Sequence, residues 1–286
     1  MKIIKYFFEF LIVVILFFIF KILGFKLASN FGGFLGKLLG PFFRSKKKIY
    51  SNIGNALPLI QEKEIRIIIN KMWENYGRIL SEYIFIKNFR RSKLKKFLEI
   101  EGKEILEEIK NSKKPVVFIS GHFNNFELMA MQIEKSGINL AAIYRPLNNI
   151  FLNKIMENIR IKYICKNQIK KGRSGTRELI ESIKNNHSIA LMIDQRVSES
   201  IKVDFFGKKA STTTIPAQIF KKFGCRIVPI YIQRENGFYF KMKVNKPIIF
   251  DEKNTIEEIT LKLNSWLEKS ILNNPSQWIW THDRWK

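Results

Sequence analysis

Residue types that build metal sites and redox centres are scarce in this 286-residue sequence, which has two cysteines and three histidines. Cys165 and Cys225 show neither CxxC spacing nor metal-ligand spacing, so we expect both to be reduced thiols in the core of a cytosolic domain. Three histidines are too few for a metal site built on a His cluster. We therefore expect neither a metal nor a cofactor.

Acidic residues are outnumbered by basic ones, with 25 Asp and Glu against 50 Lys and Arg and a formal net charge of +25. Such an excess implies an anionic partner, which could be nucleic acid, an anionic membrane surface or an acidic protein. Lysines are spread along the chain, a pattern typical of a general surface field rather than one binding stripe. The sequence has no nucleic-acid-binding motif, so we expect no nucleic-acid partner.

Long apolar runs are confined to the N-terminus, where residues 6–25 are almost entirely hydrophobic. The uninterrupted run is 10–20, and it reaches the ~20 residues of a membrane span only if Glu9 and Lys21 lie at the interfaces. A signal peptide is the main alternative, but no small-residue cleavage site follows the run. Positive charge is heavier after the segment, which favours a single anchor with a cytoplasmic main domain.

The next stretch, 27–43, mixes glycine with large apolar side chains. It suits either an amphipathic segment lying in the membrane interface or a buried helix pair packed on the domain. The basic run at 44–48 would face lipid headgroups in the first case. We divide the chain into an anchor with a basic juxtamembrane segment at 1–48 and a single domain at 49–286.

Downstream of residue 50 the hydrophobic pattern is first helical, over 61–110, and then alternates between strands and helices. The predicted strands are 116–120, 140–145, 188–193, 226–233, 238–244 and 247–250. The predicted helices are 124–136, 149–162, 173–185, 214–223 and 255–272. This alternation predicts an α/β domain with a mostly parallel central sheet flanked by helices.

The stretch 115–127, PVVFISGHFNNFE, predicts a buried strand, a sharp turn and a helix start. Asn124 and Glu127 have the spacing of a capping box, so Glu127 needs no catalytic explanation. That reading leaves Gly121 and His122 unexplained. A neutral His122 at a strand end could abstract a hydroxyl proton, a carboxylate could orient its ring, and helix-start amides could hold an oxyanion.

The motif from His122 to Glu127 resembles the His-x4-Asp/Glu signature of the glycerolipid and lysophospholipid acyltransferase superfamily. Its surroundings resemble the branch that contains the late acyltransferases of lipid A biosynthesis. Three later segments match the same branch in order: YRPLNN at 144–149, Asp194-Gln195 with DFFG at 204–207, and NPSQWIWTHDRWK at 274–286. The resemblance covers essentially the whole chain, although Asn124 and Phe126 replace the Gly and Trp that are common in the family.

The resemblance implies roles for individual residues. His122 would be the general base on the acceptor hydroxyl, and Glu127 would orient its ring within hydrogen-bond reach. Arg145, with Asn125 and Gly121, would contact the substrate or the thioester oxyanion. Asp194 and Gln195 would support the site; for Asp194 we expect an ion pair with an arginine, such as Arg145.

The resemblance further implies a membrane-anchored acyltransferase of the bacterial inner membrane. It would transfer a fatty acyl group from acyl carrier protein to the hydroxyl of a hydroxyacyl chain on a Kdo-bearing, anionic lipid A precursor. The absence of a Gly-x-Ser-x-Gly elbow agrees with direct attack and no acyl-enzyme. One alternative is an enzyme that acylates another lipid or glycolipid from acyl-CoA, and another is a basic membrane-binding protein without catalysis.

Overall fold

The architecture is an α/β fold built around a seven-stranded, mostly parallel sheet. The computed structural model describes residues 2–197 and 200–286, apart from the side chain of Arg173. The described strands are β1 (Leu98–Glu101), β2 (Val117–Ser120), β3 (Leu140–Tyr144), β4 (Asn167–Lys170), β5 (Ser188–Met192), β6 (Ser200–Phe205), β7 (Lys208–Thr213), β8 (Ile227–Glu235) and β9 (Tyr239–Val244).

The sheet order is β1-β9-β8-β2-β5-β3-β4, and β6 and β7 form a separate two-stranded hairpin. Only the β8–β9 pairing in this sheet is antiparallel among the described strands. Strand β2 is buried at every position, as expected for a central parallel strand covered by helices on both faces. Strands β2 and β5 are neighbours, so the segments that follow them meet at one edge of the sheet.

Ten α-helices lie within the described residues. They are α1 (Lys2–Leu39), α2 (Lys46–Ala56), α3 (Glu62–Glu82), α4 (Ile86–Arg90), α5 (Lys103–Ser112), α6 (Glu127–Lys135), α7 (Ile150–Ile159), α8 (Arg173–Lys184), α9 (Ile215–Phe223) and α10 (Ile256–Asn273). A π-helical turn, Arg160–Ile164, continues α7.

The predicted fold class is confirmed, and most predicted strands and helices lie within a few residues of the observed ones. Strand 247–250 is wrong, because that segment contributes an isolated bridge between Ile227 and Ile248. The helical prediction over 61–110 missed β1, and β4 and the β6–β7 hairpin were also missed. These strands are short or rich in polar residues, so they lack the apolar run that signals a buried strand.

The N-terminal helix α1 is broken at Gly24, whose backbone has φ 74° and ψ 168°. Its second half packs against α3 through glycines. A Cβ atom at Gly77 would lie 2.0 Å from the carbonyl oxygen of Gly32, so the two backbones approach as closely as they do only because both residues lack side chains. Segment 27–43 therefore packs on the domain with its small residues, while its large apolar residues, such as Phe34 and Leu38, face outward.

One region of the described chain, Lys2–Phe42, is long and apolar enough to cross a membrane, and the mean hydropathy of its apolar 18-residue window is 2.6. This length and composition fit the predicted N-terminal membrane anchor.

Candidate active site

His122 lies just beyond the carboxyl end of β2, at the centre of the sheet. The neighbouring strand β5 ends beside it, and the backbone N–H of Ile193 donates to the carbonyl of Ser120 at 2.9 Å. This hydrogen bond aligns the two strand ends, so Asp194, two residues beyond β5, lies beside His122. The meeting of two strand ends is where open α/β sheets bind ligands.

Asp194 holds the imidazole of His122 from behind. Its Oδ1 lies 2.7 Å from His122 Nδ1, and its Oδ2 accepts the backbone N–H of His122 at 2.6 Å. The indole N–H of Trp278 donates to the same Oδ2 at 2.9 Å. Asp194 is fully buried, so the three hydrogen bonds replace the water that its carboxylate has lost.

Asp194 is a permanent anion at physiological pH. Burial alone would raise its pKa, but the attraction of the His122 ring and the hydrogen bonds from His122 and Trp278 outweigh burial and lower the pKa to about 2. A charged acceptor on Nδ1 fixes the tautomer with the proton on Nδ1. His122 Nε2 then carries the lone pair, and the Gln195 side-chain amide nitrogen lies 3.4 Å from it.

The predicted hydrogen bond between Glu127 and the His122 ring is wrong. Within residues 2–197 and 200–286, Glu127 Oε1 accepts from Arg160 Nη2 at 2.6 Å, from Arg160 Nε at 2.9 Å and from Tyr83 at 3.3 Å. Burial and the adjacent Glu127 carboxylate raise the pKa of Tyr83 well above its ordinary value, so the phenol stays protonated and donates. The predicted ion pair between Asp194 and Arg145 is replaced by the Asp194–His122 pair.

The capping box predicted at Asn124 and Glu127 is also absent, because α6 begins only at Glu127. Asn124 instead adopts a left-handed conformation, with φ 46°. Its side-chain oxygen accepts the N–H of Asn125, and its own N–H donates to the carbonyl of Gln277. The backbone N–H groups of 122–126 thus all donate within the protein. They therefore do not form the oxyanion hole that was predicted there.

A cavity of about 770 Å³ opens in front of His122 and reaches into the space between the sheet and α6. Its inner wall is apolar and includes three alanines, Ala130, Ala142 and Ala190, and Ile133. Alanine side chains at the centre of β3 and β5 are accessible only because they border this space; the neighbouring Ala141 is fully buried.

The cavity mouth carries positive charge. Arg44, Lys48, Arg145, Lys171 and Arg196 line it. Lys48 pairs weakly with Asp283 at 3.8 Å, whereas Arg145 is exposed at the end of β3. The combination of an apolar interior and a basic rim suits an amphipathic anion with a long hydrocarbon part.

The other predicted site residues lie at different depths. Gln195 and Glu127 line the cavity, as does Arg145. Asn125 is fully buried behind the cavity wall, where its amide donates to Glu82 at 3.1 Å. Gly121 is packed so closely that a Cβ atom would lie 3.2 Å from Asp194 Oδ2, which places it in the support of the site.

A buried ion pair stands behind the turn at His122. The Glu82 carboxylate accepts two hydrogen bonds from the Arg234 guanidinium, and side-chain exposure is 0% for Glu82 and 7% for Arg234. The same carboxylate accepts from Ser29 of α1 at 2.7 Å and from Asn125 of the turn at 3.1 Å. Helix α1, helix α3, strand β8 and the turn therefore share one buried polar network.

The C-terminal segment packs against the site, and His282 also lines the cavity. Trp278 and Trp280 are buried, and the N–H of Arg196 donates to His282 Nε2 at 2.8 Å. Burial is the main cause that lowers the pKa of His282 to about 4, so its ring is a neutral acceptor. Phe205 is core, in contact with Trp285, rather than a wall of the cavity.

Sequence reasoning missed three residues of the site. Arg160 and Tyr83 hold Glu127, and Glu82 anchors the turn. Arg160 stands in the segment NIRIKYI beside a second cation, Lys162, so its sequence context does not distinguish it from a surface residue. Tyr83 and Glu82 are distant in sequence from the motif, so only the fold brings them to it.

Comparison with known proteins points to one family. The family described as bacterial lipid A biosynthesis acyltransferase matches residues 1–286, the whole chain. Among curated relatives, the chain is 24% identical to the lipid A biosynthesis lauroyltransferase of Escherichia coli (strain K12), over 88% of this chain and 83% of that protein.

Two further relatives carry related names. The lipid A biosynthesis acyltransferase of Haemophilus influenzae (strain ATCC 51907 / DSM 11121 / KW20 / Rd) is 23% identical, over 82% of this chain and 75% of its own length. The lipid A biosynthesis myristoyltransferase of Escherichia coli (strain K12) is 21% identical, over 88% of this chain and 76% of its own length.

Proposed function

The chain belongs to the bacterial lipid A biosynthesis acyltransferase family and is an acyltransferase; from that premise we propose which groups it joins and how. The acyl group passes from acyl carrier protein to the hydroxyl of a hydroxyacyl chain on a Kdo-bearing lipid A precursor. The observation that carries the proposal is the orientation of His122, whose Nδ1 is held by a buried carboxylate on one side while its ring lines an apolar cavity on the other.

His122 Nε2 acts as the general base. The acceptor hydroxyl oxygen attacks the thioester carbonyl carbon as its proton passes to Nε2, and the C–S bond of the tetrahedral intermediate then breaks. The departing thiolate takes the proton from the imidazolium, so the base is regenerated. Asp194 stabilises the imidazolium, and a base so placed contributes roughly 10²–10⁴-fold in rate.

Arg160 is a candidate donor to the developing oxyanion. Its guanidinium lines the cavity, and Nη1 has no hydrogen-bond partner among the described residues. Two other nitrogens of the same group are held by Glu127, which fixes the direction of Nη1. Glu127 thus acts through Arg160 rather than through His122, and a preorganised donor of this kind is worth ~10²–10³-fold in rate.

The chemistry of the cavity supports the proposed substrates. Its apolar interior receives an acyl chain, and its basic rim attracts a phosphorylated, acidic glycolipid and the acidic acyl carrier protein. The proposal assigns residues 1–48 to attachment at the bacterial inner membrane and 49–286 to catalysis on the cytoplasmic side. Lys and Arg are more numerous after the apolar segment than before it, which supports that orientation.

The test is acyl transfer by membranes containing the intact protein, with acyl carrier protein or CoA thioesters as donors and a Kdo-bearing lipid A precursor as acceptor. His122→Ala should lower the rate by about 10²–10⁴-fold. Asp194→Asn should lower it by a comparable factor, because an amide neither fixes the tautomer by charge nor stabilises the imidazolium. His187→Ala is the matched control, since His187 does not line the cavity, and it should leave the rate unchanged.

Full activity in His122→Ala would overturn the mechanism. Transfer from CoA alone, or only to acceptors without Kdo, would overturn the donor or the acceptor and leave the base in place. No transfer by the unaltered protein under any of these pairings would favour a membrane-binding protein without catalysis.

A further inference from the structure

Helix α1 contacts the domain along its whole apolar segment, rather than leaving it as a free rod. One stripe of its side chains is partly or fully buried at helical spacing: Tyr6, Phe10, Val13, Phe17, Phe20, Leu23 and Phe25. The opposite stripe is exposed: Phe8, Ile12, Ile15, Phe18 and Ile22, at 58% to 70%. The helix therefore has an inner face on the protein and an outer apolar face.

The N-terminal end of this helix is fastened to the start of α7. The Asn149 amide donates to the carbonyl of Tyr6 at 2.9 Å and to the Glu9 carboxylate at 3.1 Å. The ring of Phe151 lies 5.8 Å from the rings of both Phe7 and Phe10. Asn149 directly follows the segment 145–148, which lines the mouth of the cavity.

The other end of the apolar segment is fastened to α3 and its surroundings. The ring of Phe25 packs on those of Phe85 and Phe89, at 5.8 Å and 5.4 Å between centroids. Ser29 donates to the buried Glu82 at 2.7 Å. Both ends of the apolar segment thus contact one and the same globular domain.

A helix that crosses a bilayer must place its ends on opposite sides. From Tyr6 to Leu23 the rise of ~1.5 Å per residue gives about 26 Å, close to the ~30 Å hydrocarbon core. If α1 crossed the membrane, it would therefore either lose its contacts with Asn149 and Phe151 or carry the cavity mouth to the opposite side of the membrane. We propose that α1 does not cross the membrane: it lies within one leaflet, its outer face among the acyl chains and the domain on the same side.

The chemistry of the outer face identifies lipid as its occupant. The only acidic residue in 2–39 is Glu9, and Glu9 is bonded to Asn149. The charged residues that remain are cations, Lys2, Lys5, Lys21 and Lys26 among them, suited to an anionic headgroup layer. A second copy of this chain, with its net charge of +25, would meet the same cations and be repelled.

This arrangement deepens the proposed membrane attachment, on which it rests, and it has a consequence for the acceptor. Leu147 and Ile150 are exposed beside Asn149, so the lip of the cavity lies next to the leaflet that holds α1. A lipid acceptor can then raise its headgroup region to His122 without leaving its own leaflet.

The test is labelling of single cysteines with a membrane-impermeant maleimide in intact and permeabilised spheroplasts. The background is Cys165→Ala/Cys225→Ala, because both native thiols are buried. Lys2→Cys reports the N-terminal end of α1, and Lys113→Cys, exposed on the domain, is the matched control. We expect both to be protected in intact spheroplasts and both to react after permeabilisation.

Labelling of Lys2→Cys in intact spheroplasts, with Lys113→Cys protected, would overturn the inference in favour of a span and leave membrane attachment standing. Absence of the protein from the membrane fraction would overturn membrane attachment itself, and the inference with it.

A cross-link measures the α1–α7 contact directly. Cysteines at Glu9 and Asn149, treated in membranes with a short bis-maleimide, should join α1 to α7 within one chain. Cysteines at Leu11 and Asn149 should not, because Leu11 lies about 200° round the helix from Glu9. Failure of the first pair to cross-link would overturn the in-plane arrangement. A disulfide between two chains through Ile15→Cys would also overturn it, in favour of a second copy of the chain on the outer face.

Discussion

The ion pair between Glu82 and Arg234 offers the sharpest test of how the turn at His122 is held. Replacing Glu82 by glutamine keeps the shape of the side chain and removes its charge. The Arg234 guanidinium then stays buried without a counter-charge, and the new amide nitrogen meets donors from Arg234, Asn125 or Ser29. Breaking a buried pair in this way costs about 3–5 kcal/mol.

That cost is a large part of the ~5–15 kcal/mol by which domains are stable, so it should be plain in urea unfolding of the detergent-solubilised protein followed by tryptophan fluorescence. Glu62→Gln is the matched control. It removes the same charge from the pair with Arg66, whose side chains are 66% and 65% exposed, and it should leave the unfolding midpoint unchanged.

Arg234→Met should cost as much as Glu82→Gln, because it leaves a buried carboxylate. The double variant should then cost little more than either single one, since no unpaired charge remains. Acyl transfer should fall in the two variants that carry Glu82→Gln, through kcat more than KM, because Asn125 loses its charged acceptor while the cavity keeps its lining. Equal midpoints for Glu82→Gln and Glu62→Gln, or additive costs in the double variant, would refute the reasoning.

Two other substitutions test the cavity and the C-terminal segment. Ala130→Phe fills part of the apolar interior, where burial of each acyl-chain methylene contributes ~0.8 kcal/mol to binding. Mass spectrometry of the products should therefore show acyl chains at least two carbons shorter. Unchanged chain length would remove Ala130 from the acyl site. In the folded protein the pKa of His282 is about 4, whereas its ordinary value is 6.5. Between pH 4 and 6.5 the unfolded chain therefore binds a proton that the folded protein does not, so stability falls as the pH falls. His282→Gln, which keeps an acceptor for the Arg196 N–H, should flatten the melting temperature over that range, and an unaltered pH dependence would assign the loss to other groups.

The fold class could be predicted because its signal is local. Apolar runs such as Val117–Ser120 and Ser188–Met192 read as strands whatever they pair with, and helix periodicity lies between them. The polar strands were missed in the prediction because they lack this local apolar signal. Strand β4, Asn167–Lys170, has one buried residue, Ile169, so nothing in its composition distinguishes it from a loop.

The membership of the site was only partly predictable, for a reason that lies in the strand order. The His-x4-Glu spacing suggested His122 and Glu127 as a pair, since only four residues separate them in sequence. Their side chains nonetheless take different partners, because Asn124 turns left-handed and delays the helix until Glu127 itself. Sequence separation is thus a poor guide to which carboxylate orients a histidine.

What decides the partner of His122 is that β5, and not β3, pairs with β2. A chain that runs β2, β3, β4, β5 and inserts its last strand beside the first leaves two strand ends side by side at the centre of the sheet. The residues two positions beyond those ends, His122 and Asp194, then lie within hydrogen-bond distance, and Trp278 from the C-terminal segment donates to Asp194. If the strand order is known, the pairing of His122 with Asp194 can be predicted from the sequence. If it is not known, Glu127 is the only nearby carboxylate that the sequence offers as a partner for His122.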